Sequence, residues 1–476
     1  MLSNRLMTIL ALVLLTSTLG AWSVTDTYFG NRYGSMDARS FAMGSAGLYN
    51  DFRPGGIADN PANLTLMKKF IGIQANTVIN RAEDTRMIPL YNSFDNYIDD
   101  AVYASNINAY TNFAGASFIS SSHENISFGL GAYHRPYTSF EGKYREEIRN
   151  NRNTDNDGYP EKIAQNDINN SGNLYSTGVV VSAAYAISDY LDFNLGLDVS
   201  LLNGSIDESR TIKWSQWSLD QMDDGVVLPE YTREANWEIS DKQVKLGMAF
   251  RLGPRFGLAA TYVPVNSVEI TGTEWSRRDA YRNTPMDSTF TVLDGDRDFP
   301  AEYRVGFAYY PRNATRTVFN MDFEVVDYSD VMDAFDPVYN FYAGVEHHIS
   351  HRMPLRLGFQ AVNSYFVDTQ LGTDDQGQDI TLVHAKKVLT PMITAGSAVK
   401  IAKNVTLDLG FGYAFRDYEA LDLFGDSYYN DKIYTGSSSY TLWPTSYINL
   451  QDRGWDNPDK VKENYITLNA GLSFGW

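Results

Sequence analysis

The sequence predicts an all-β protein, a transmembrane antiparallel β-barrel of about 14 strands whose lumen is plugged by an N-terminal segment. Three observations carry that prediction. The C-terminal stretch alternates without a fault. The apolar segments are joined by connections that sort into short and long. The chain opens on an export signal, and no later apolar run is long enough for a spanning helix.

Over 465–476, Ile466, Leu468, Ala470, Leu472, Phe474 and Trp476 share one face, with Tyr465, Thr467, Asn469, Gly471, Ser473 and Gly475 on the other. One apolar and one small or polar face suit a wall between lipid and a wet interior. An edge strand of a soluble sandwich would also alternate, so the other two observations decide. Asn469, Gly471, Phe474 and Trp476 are also spaced as in the terminal signal that hands outer-membrane barrels to their assembly machinery.

At the N-terminus Arg5 is the only charge before Asp26, residues 9–15 are apolar, and Ala21-Trp22-Ser23 has the small-x-small form of a cleavage site. Residues 1–23 are therefore expected to be a secretory signal peptide. Their removal takes one basic and no acidic residue, moving the formal charge from −19 to −20. Such acidity argues against nucleic acid or anionic lipid as partner. With 0 cysteines there is no disulfide framework and no thiolate chemistry. The 32 Tyr, 25 Phe and 8 Trp suit the interfacial girdles of a barrel.

Residues 24–68 do not alternate like a wall. They carry Gly30, Gly34, Gly44, Gly47, Gly55 and Gly56, a short helical stretch at 37–46, and Asn60 placed to cap a helix beginning at Pro61. Phe41, Met43, Leu48, Phe52, Ile57 and Leu64 would be wasted on a disordered tail, so this segment is expected to be a plug.

Residues 69–476 are expected to form the barrel, with strands near 69–81, 107–121, 124–137, 172–188, 191–204, 237–253, 255–272, 298–311, 315–328, 337–350, 353–365, 387–403, 404–419 and 463–476. The tight connections fall at 121–123, 188–190, 253–254, 311–314, 350–352 and 403–404. The long polar ones are 82–106, 138–171, 205–236, 273–297, 366–386 and 420–462, with a shorter one at 329–336. Short turns at one end and long loops at the other are the outer-membrane pattern, with both termini periplasmic.

Turning the apolar face to lipid sends Lys245, Arg251, Arg304, Asp322, Glu324, Glu346, Arg356, Asp408 and Arg416 inward. Within that set Lys245, Arg304, Asp322, Glu324 and Arg356 are candidates for a charge network holding the plug. Pro136, in the third strand, is a candidate kink for a sideways exit, but a proline that ends the strand is the stronger reading. Trp214, Trp217, Trp237, Tyr428, Tyr429, Tyr440 and Trp443 read as a capture surface or as part of a girdle. Asn153, Asp155 and Asp157 begin a calcium-loop spacing, but Ala164 stands where a carboxylate should close it, so a solvated acidic loop is the stronger reading. No catalytic motif gathers around the 6 histidines, and neither enzyme activity nor a cofactor is expected.

Residues 37–46 followed by Asp59-Asn60-Pro61-Ala62-Asn63-Leu64 resemble the N-terminal hatch of FadL-type outer-membrane transporters. The stretches 320–330, 343–358 and 395–409 resemble later strands of that family, while 140–300 matches in strand spacing alone. Asn63 departs from the glycine usual after Asn-Pro-Ala. The resemblance implies a monomeric barrel plugged by the hatch, taking up long-chain fatty acids or other hydrophobic compounds caught at the extracellular loops. Its implied surroundings are outer-membrane lipid, lipopolysaccharide and, during biogenesis, the assembly machinery. The alternative is a PorV-like barrel that handles secreted proteins at the cell surface.

Overall fold

The structure is a computed structural model that describes residues 30–32, 34–50, 53–67, 69–91, 96–149, 162–216, 231–278, 286–312, 316–331, 335–350, 353–373, 379–420, 423 and 458–476. A two-residue strand β1 (Asn31–Arg32) and three short helices, α1 (Ala38–Ala42), α2 (Gly56–Asp59) and α3 (Asn63–Leu66), precede the wall. The wall begins with β2 (Ile71–Tyr91), β3 (Tyr97–His123), β4 (Ile126–Ser139), β5 (Gly142–Arg149), β6 (Lys162–Ser188), β7 (Leu191–Trp214) and β8 (Tyr231–Leu252). It continues through β9 (Phe256–Val263), β10 (Asn266–Arg278), β11 (Asp287–Phe299), β12 (Ala301–Tyr309), β13 (Thr317–Asp327) and β14 (Val338–Ser350). It ends with β15 (Met353–Thr373), β16 (Asp379–Ala402), β17 (Val405–Ala420) and β18 (Asp459–Gly475).

β4 with β5, β9 with β10 and β11 with β12 are each one strand interrupted by a break, so the seventeen wall segments make fourteen strands. All neighbours are antiparallel, and β18 pairs with β2 from Lys460–Met87 to Gly475–Gly72, closing the cylinder. The fourteen strands expected from alternation coincide one for one with these fourteen. No helix among the described residues is long and apolar enough to cross a membrane.

The burial pattern is that of a soluble protein turned inside out. On β7, Leu195, Leu197, Val199 and Leu201 are exposed on the outer face, while Asn194, Asp198 and Ser200 point inward and are buried. β17 repeats this, with Leu409, Phe411, Tyr413 and Phe415 outside and Asp408 and Arg416 buried within. An apolar band around a closed antiparallel cylinder is stable only in lipid, which places the chain in the outer membrane.

The expected long loops need correction. Much of 82–106, 138–171, 205–236, 273–297 and 366–386 is strand. β6 runs 27 residues, roughly 90 Å of extended chain, where about 9–11 residues suffice to span the hydrocarbon. In the extension of β7 the two faces exchange character. Beyond Leu201, β7 turns Leu202, Ile206, Ile212 and Trp214 inward, all buried, and shows Asn203, Ser205, Asp207 and Lys213 outside. Above the bilayer this sector of the cylinder has an apolar inside, while β2, β5 and β6 bury Asp84, Arg86, Glu146 and Asn166 elsewhere in the extensions. One inner cluster joins Leu174, Leu202, Ile206, Ile239, Val268, Ile270 and Phe299, with Trp237 packed against it. Trp214 and Trp237 therefore serve this interior and not a girdle, while Trp217, Tyr428, Tyr429, Tyr440 and Trp443 lie outside the described residues.

Candidate functional site

The described residues between Gly30 and Met67 occupy the lumen. Asp37 caps α1 through Oδ2, which accepts from Ser40 N at 3.0 Å. The helix spans Ala38–Ala42, shorter than the 37–46 expected, because Gly44 at φ 66° turns the chain away. Gly44 N donates to Thr394 Oγ1 at 2.9 Å, and the same hydroxyl donates to Ala42 O at 3.1 Å.

Asn60, Pro61 and Ala62 form the joint between α2 and α3. Asn60 Oδ1 accepts from Ala62 N at 3.0 Å, and its Nδ2 donates to Leu48 O at 3.1 Å and to Met248 O in the wall at 3.3 Å. α3 starts at Asn63, two residues later than the expected start at Pro61. Asn63, the departure from the family pattern, is fully buried; its Oδ1 accepts from Asn50 N at 3.1 Å and its Nδ2 donates to Gly56 O at 2.9 Å.

The wall makes room for this segment with glycine. A Cβ at Gly196 on β7 or Gly247 on β8 would strike Pro61 and its neighbours. One at Gly344 on β14 or Gly358 on β15 would strike the backbone of Met43 and Gly44. Gly396 on β16 and Gly410 on β17 face Ala42 and Phe41. Strands on opposite sides of the cylinder thus touch one segment, which is possible only if that segment fills the bore.

Charge then ties plug to wall. Arg39 Nε lies 2.9 Å from Glu346 and Arg53 Nε 2.5 Å from Asp408, while Arg356 sits between these carboxylates at 2.7 and 2.8 Å. The result is an alternating chain Arg39–Glu346–Arg356–Asp408–Arg53 with both ends on the plug. A second contact sets Arg304 2.7 Å from Asp322 while Arg304 also donates to Ser45 O at 2.6 Å and Asp322 accepts from Leu48 N at 3.0 Å. A third joins Arg32 to Glu302 at 2.8 Å and to Glu324 at 3.4 Å. Lys245 donates to Ala58 O at 2.9 Å, and Arg135 lies 3.1 Å from Asp59.

The five expected network residues are therefore split among separate contacts. Arg304 and Asp322 pair with each other, Glu324 pairs with Arg32, Lys245 meets a carbonyl, and Arg356 belongs to the five-member chain. The plug-side members of these contacts, Arg32, Arg39, Arg53 and Asp59, carried no pattern that sequence reasoning could use. The calcium-loop residues Asn153, Asp155 and Asp157 lie outside the described residues.

Pro136 lies within β4, at the place where the wall comes apart. The β3–β4 ladder runs from His123–Ile126 to Gly115–His134 and goes no further. Beyond it, a bulge between Pro136 and Thr138 shifts the β4–β6 register by one residue, leaving Tyr137 without a partner in that ladder. Where β3 should pair, β1 of the plug takes its place, with Asn31 opposite Ser139 and Arg32 opposite Thr138. Higher up, Asn106 and Asn108 bridge to the β5 backbone by their side chains, at 3.2 Å to Arg145 O and 2.9 Å to Lys143 O. The result is a gap in the β3–β4 ladder, backed by the plug.

A cavity of about 160 Å³ lies on the extracellular side of the plug, touching Phe41, Asp59, Arg135, Lys245, Glu324 and Met392 among others. Lys245 is buried there and forms no ion pair among the described residues. The apolar inner cluster reaches the same region through Tyr137 and Phe140, beside the bulge.

Fold and site together define a plugged outer-membrane barrel with a breached strand ladder. The chain has the fold of FadL-type transporters. It aligns with the P. putida toluene transporter TodX at 12% identity and TM-score 0.54, covering 94% of this chain and 99% of that one. The Ralstonia pickettii toluene transporter TbuX aligns at 14% identity and TM-score 0.50, with 94% and 99% covered. A Pseudomonas aeruginosa FadL homologue aligns at 10% identity and TM-score 0.52, again with 94% and 99% covered. No protein-family model and no curated protein matches the chain.

Proposed function

We propose that this barrel takes up hydrophobic small molecules across the outer membrane, long-chain fatty acids foremost. Cargo is caught at the extracellular extensions and leaves sideways through the gap at Pro136. The observation that carries the reading is that gap beside a filled lumen. A ladder broken within the membrane persists only where other protein meets the freed backbone, as β1 meets β4 here, or where the backbone lines a cavity. The plug blocks the axial route, and the gap is the lateral alternative. The neighbours named as toluene transporters support hydrophobic cargo.

The lining favours an amphiphile over a plain hydrocarbon. Lys245 offers a buried ammonium to an anionic end, and Met36, Phe41, Val263 and Met392 in the same lining offer apolar surface to a tail. The test is accumulation of labelled oleate by cells carrying this chain as their only transporter of the class. A variant lacking Tyr137, which restores the β4–β6 register, should still fold and insert but lose uptake. Uptake at the full rate in that variant would remove the lateral route. Unchanged oleate uptake in a deletion strain that loses its secreted surface proteins would favour the protein-handling role.

A further inference from the structure

We propose that the short-turn mouth of the barrel, beneath the plug, binds a compact phosphate-bearing anion. A cavity of about 440 Å³ opens there, a size suited to a small ligand. Among the described residues that line it, seven are Arg or Lys and one, Glu346, is a carboxylate. In a chain of net charge −19 this is a strong local reversal.

The five-member charge chain explains only part of that surplus. Arg39, Arg53 and Arg356 are matched by Glu346 and Asp408. Lys400 and Lys403 stand outside those pairs yet converge on the same space. Lys400 and Lys403 sit on either side of the end of β16 and form no ion pair among the described residues. Gathering like charges in a concavity costs free energy through their repulsion, and an anion bound among them removes that cost. Guanidinium and ammonium groups together suit a phosphate, which accepts paired bonds from Arg and point-charge contacts from Lys.

The position gives such a ligand a consequence. An anion that reaches Arg39 and Arg53 competes with Glu346 and Asp408 for the guanidiniums that tie plug to wall. The site would thus sense the periplasmic side and loosen the plug, whatever the cargo above it.

The experiment is calorimetric titration of the full chain in neutral detergent at low ionic strength, first with pyrophosphate and then with dihexanoylphosphatidylglycerol. The same titrations are run on a Lys400→Gln/Lys403→Gln variant, which leaves the latch residues in place, and folding of both proteins is checked by heat-modifiable migration. We expect saturable binding to the wild type, weakened about tenfold or more in the variant. Binding of pyrophosphate identifies a free phosphate ester as the occupant, and binding confined to the lipid identifies a headgroup. Failure of both ligands to bind, or equal affinity in the folded variant, would overturn the proposal. Neither result depends on oleate uptake.

Discussion

The side chains that hold the plug fall into two physical kinds, charges and absent side chains. Glu346 answers Arg39 and Arg356 at once, so Glu346→Gln leaves two buried guanidiniums short of a counter-charge. Breaking a buried pair by removing one partner costs about 3–5 kcal/mol. We expect hydrogen exchange across 38–67 to accelerate strongly in that variant while the wall strands keep their protection; unchanged exchange would show that the latch is dispensable. Gly358→Leu acts by sterics, because its side chain would enter the backbone at Met43 and Gly44. We expect it to expel the plug from an intact barrel, detected as new protease cleavage within 38–67. The inward position of Lys245, Arg304, Asp322, Glu324 and Arg356 was legible from the sequence, since each sits opposite an apolar face. The plug arginines that pair with Glu346 and Asp408 were not. Arg39 pairs across 307 positions and Arg53 across 355, and no local pattern in a Gly-rich segment marks such a distance.

Strands were legible where lipid dictates their pattern and illegible where it stops doing so. On β7 the alternation that identifies a strand ends at Leu201, where Leu202 begins an apolar inner face and Asn203 a polar outer one. Alternation continues in the opposite phase, which a search for one apolar face reads as a loop. The two zones should answer substitution differently. Leu197→Arg puts a charge on the lipid face and costs about 2–4 kcal/mol near the midplane. Asp207→Arg, on the wet outer face of the same strand, should stay within about 0.5 kcal/mol. Urea unfolding from vesicles measures both; equal losses would place Leu197 outside the bilayer. Pro136 shows another limit. Proline at a strand's end and proline at a bulge look alike in sequence, and only the register of β4 against β3 and β6 separates them.

At the scale of the whole molecule, the closed cylinder and the segment filling it leave cargo no straight path. Both the barrel and the presence of a plug were legible in the sequence, from connection lengths and from apolar residues in a segment too irregular for a wall. Pro136 marked a place where the gap could fall, but the gap itself was not legible, because it arises from a missing ladder between β3 and β4 and not from any residue alone. The most direct measurement is single-channel conductance in planar bilayers. The account predicts that the wild-type chain inserts but shows no steady open current, and that Gly358→Leu opens a lasting pore. A wide, steady pore in the wild type, or an electrically silent Gly358→Leu barrel shown to have lost its plug, would contradict it.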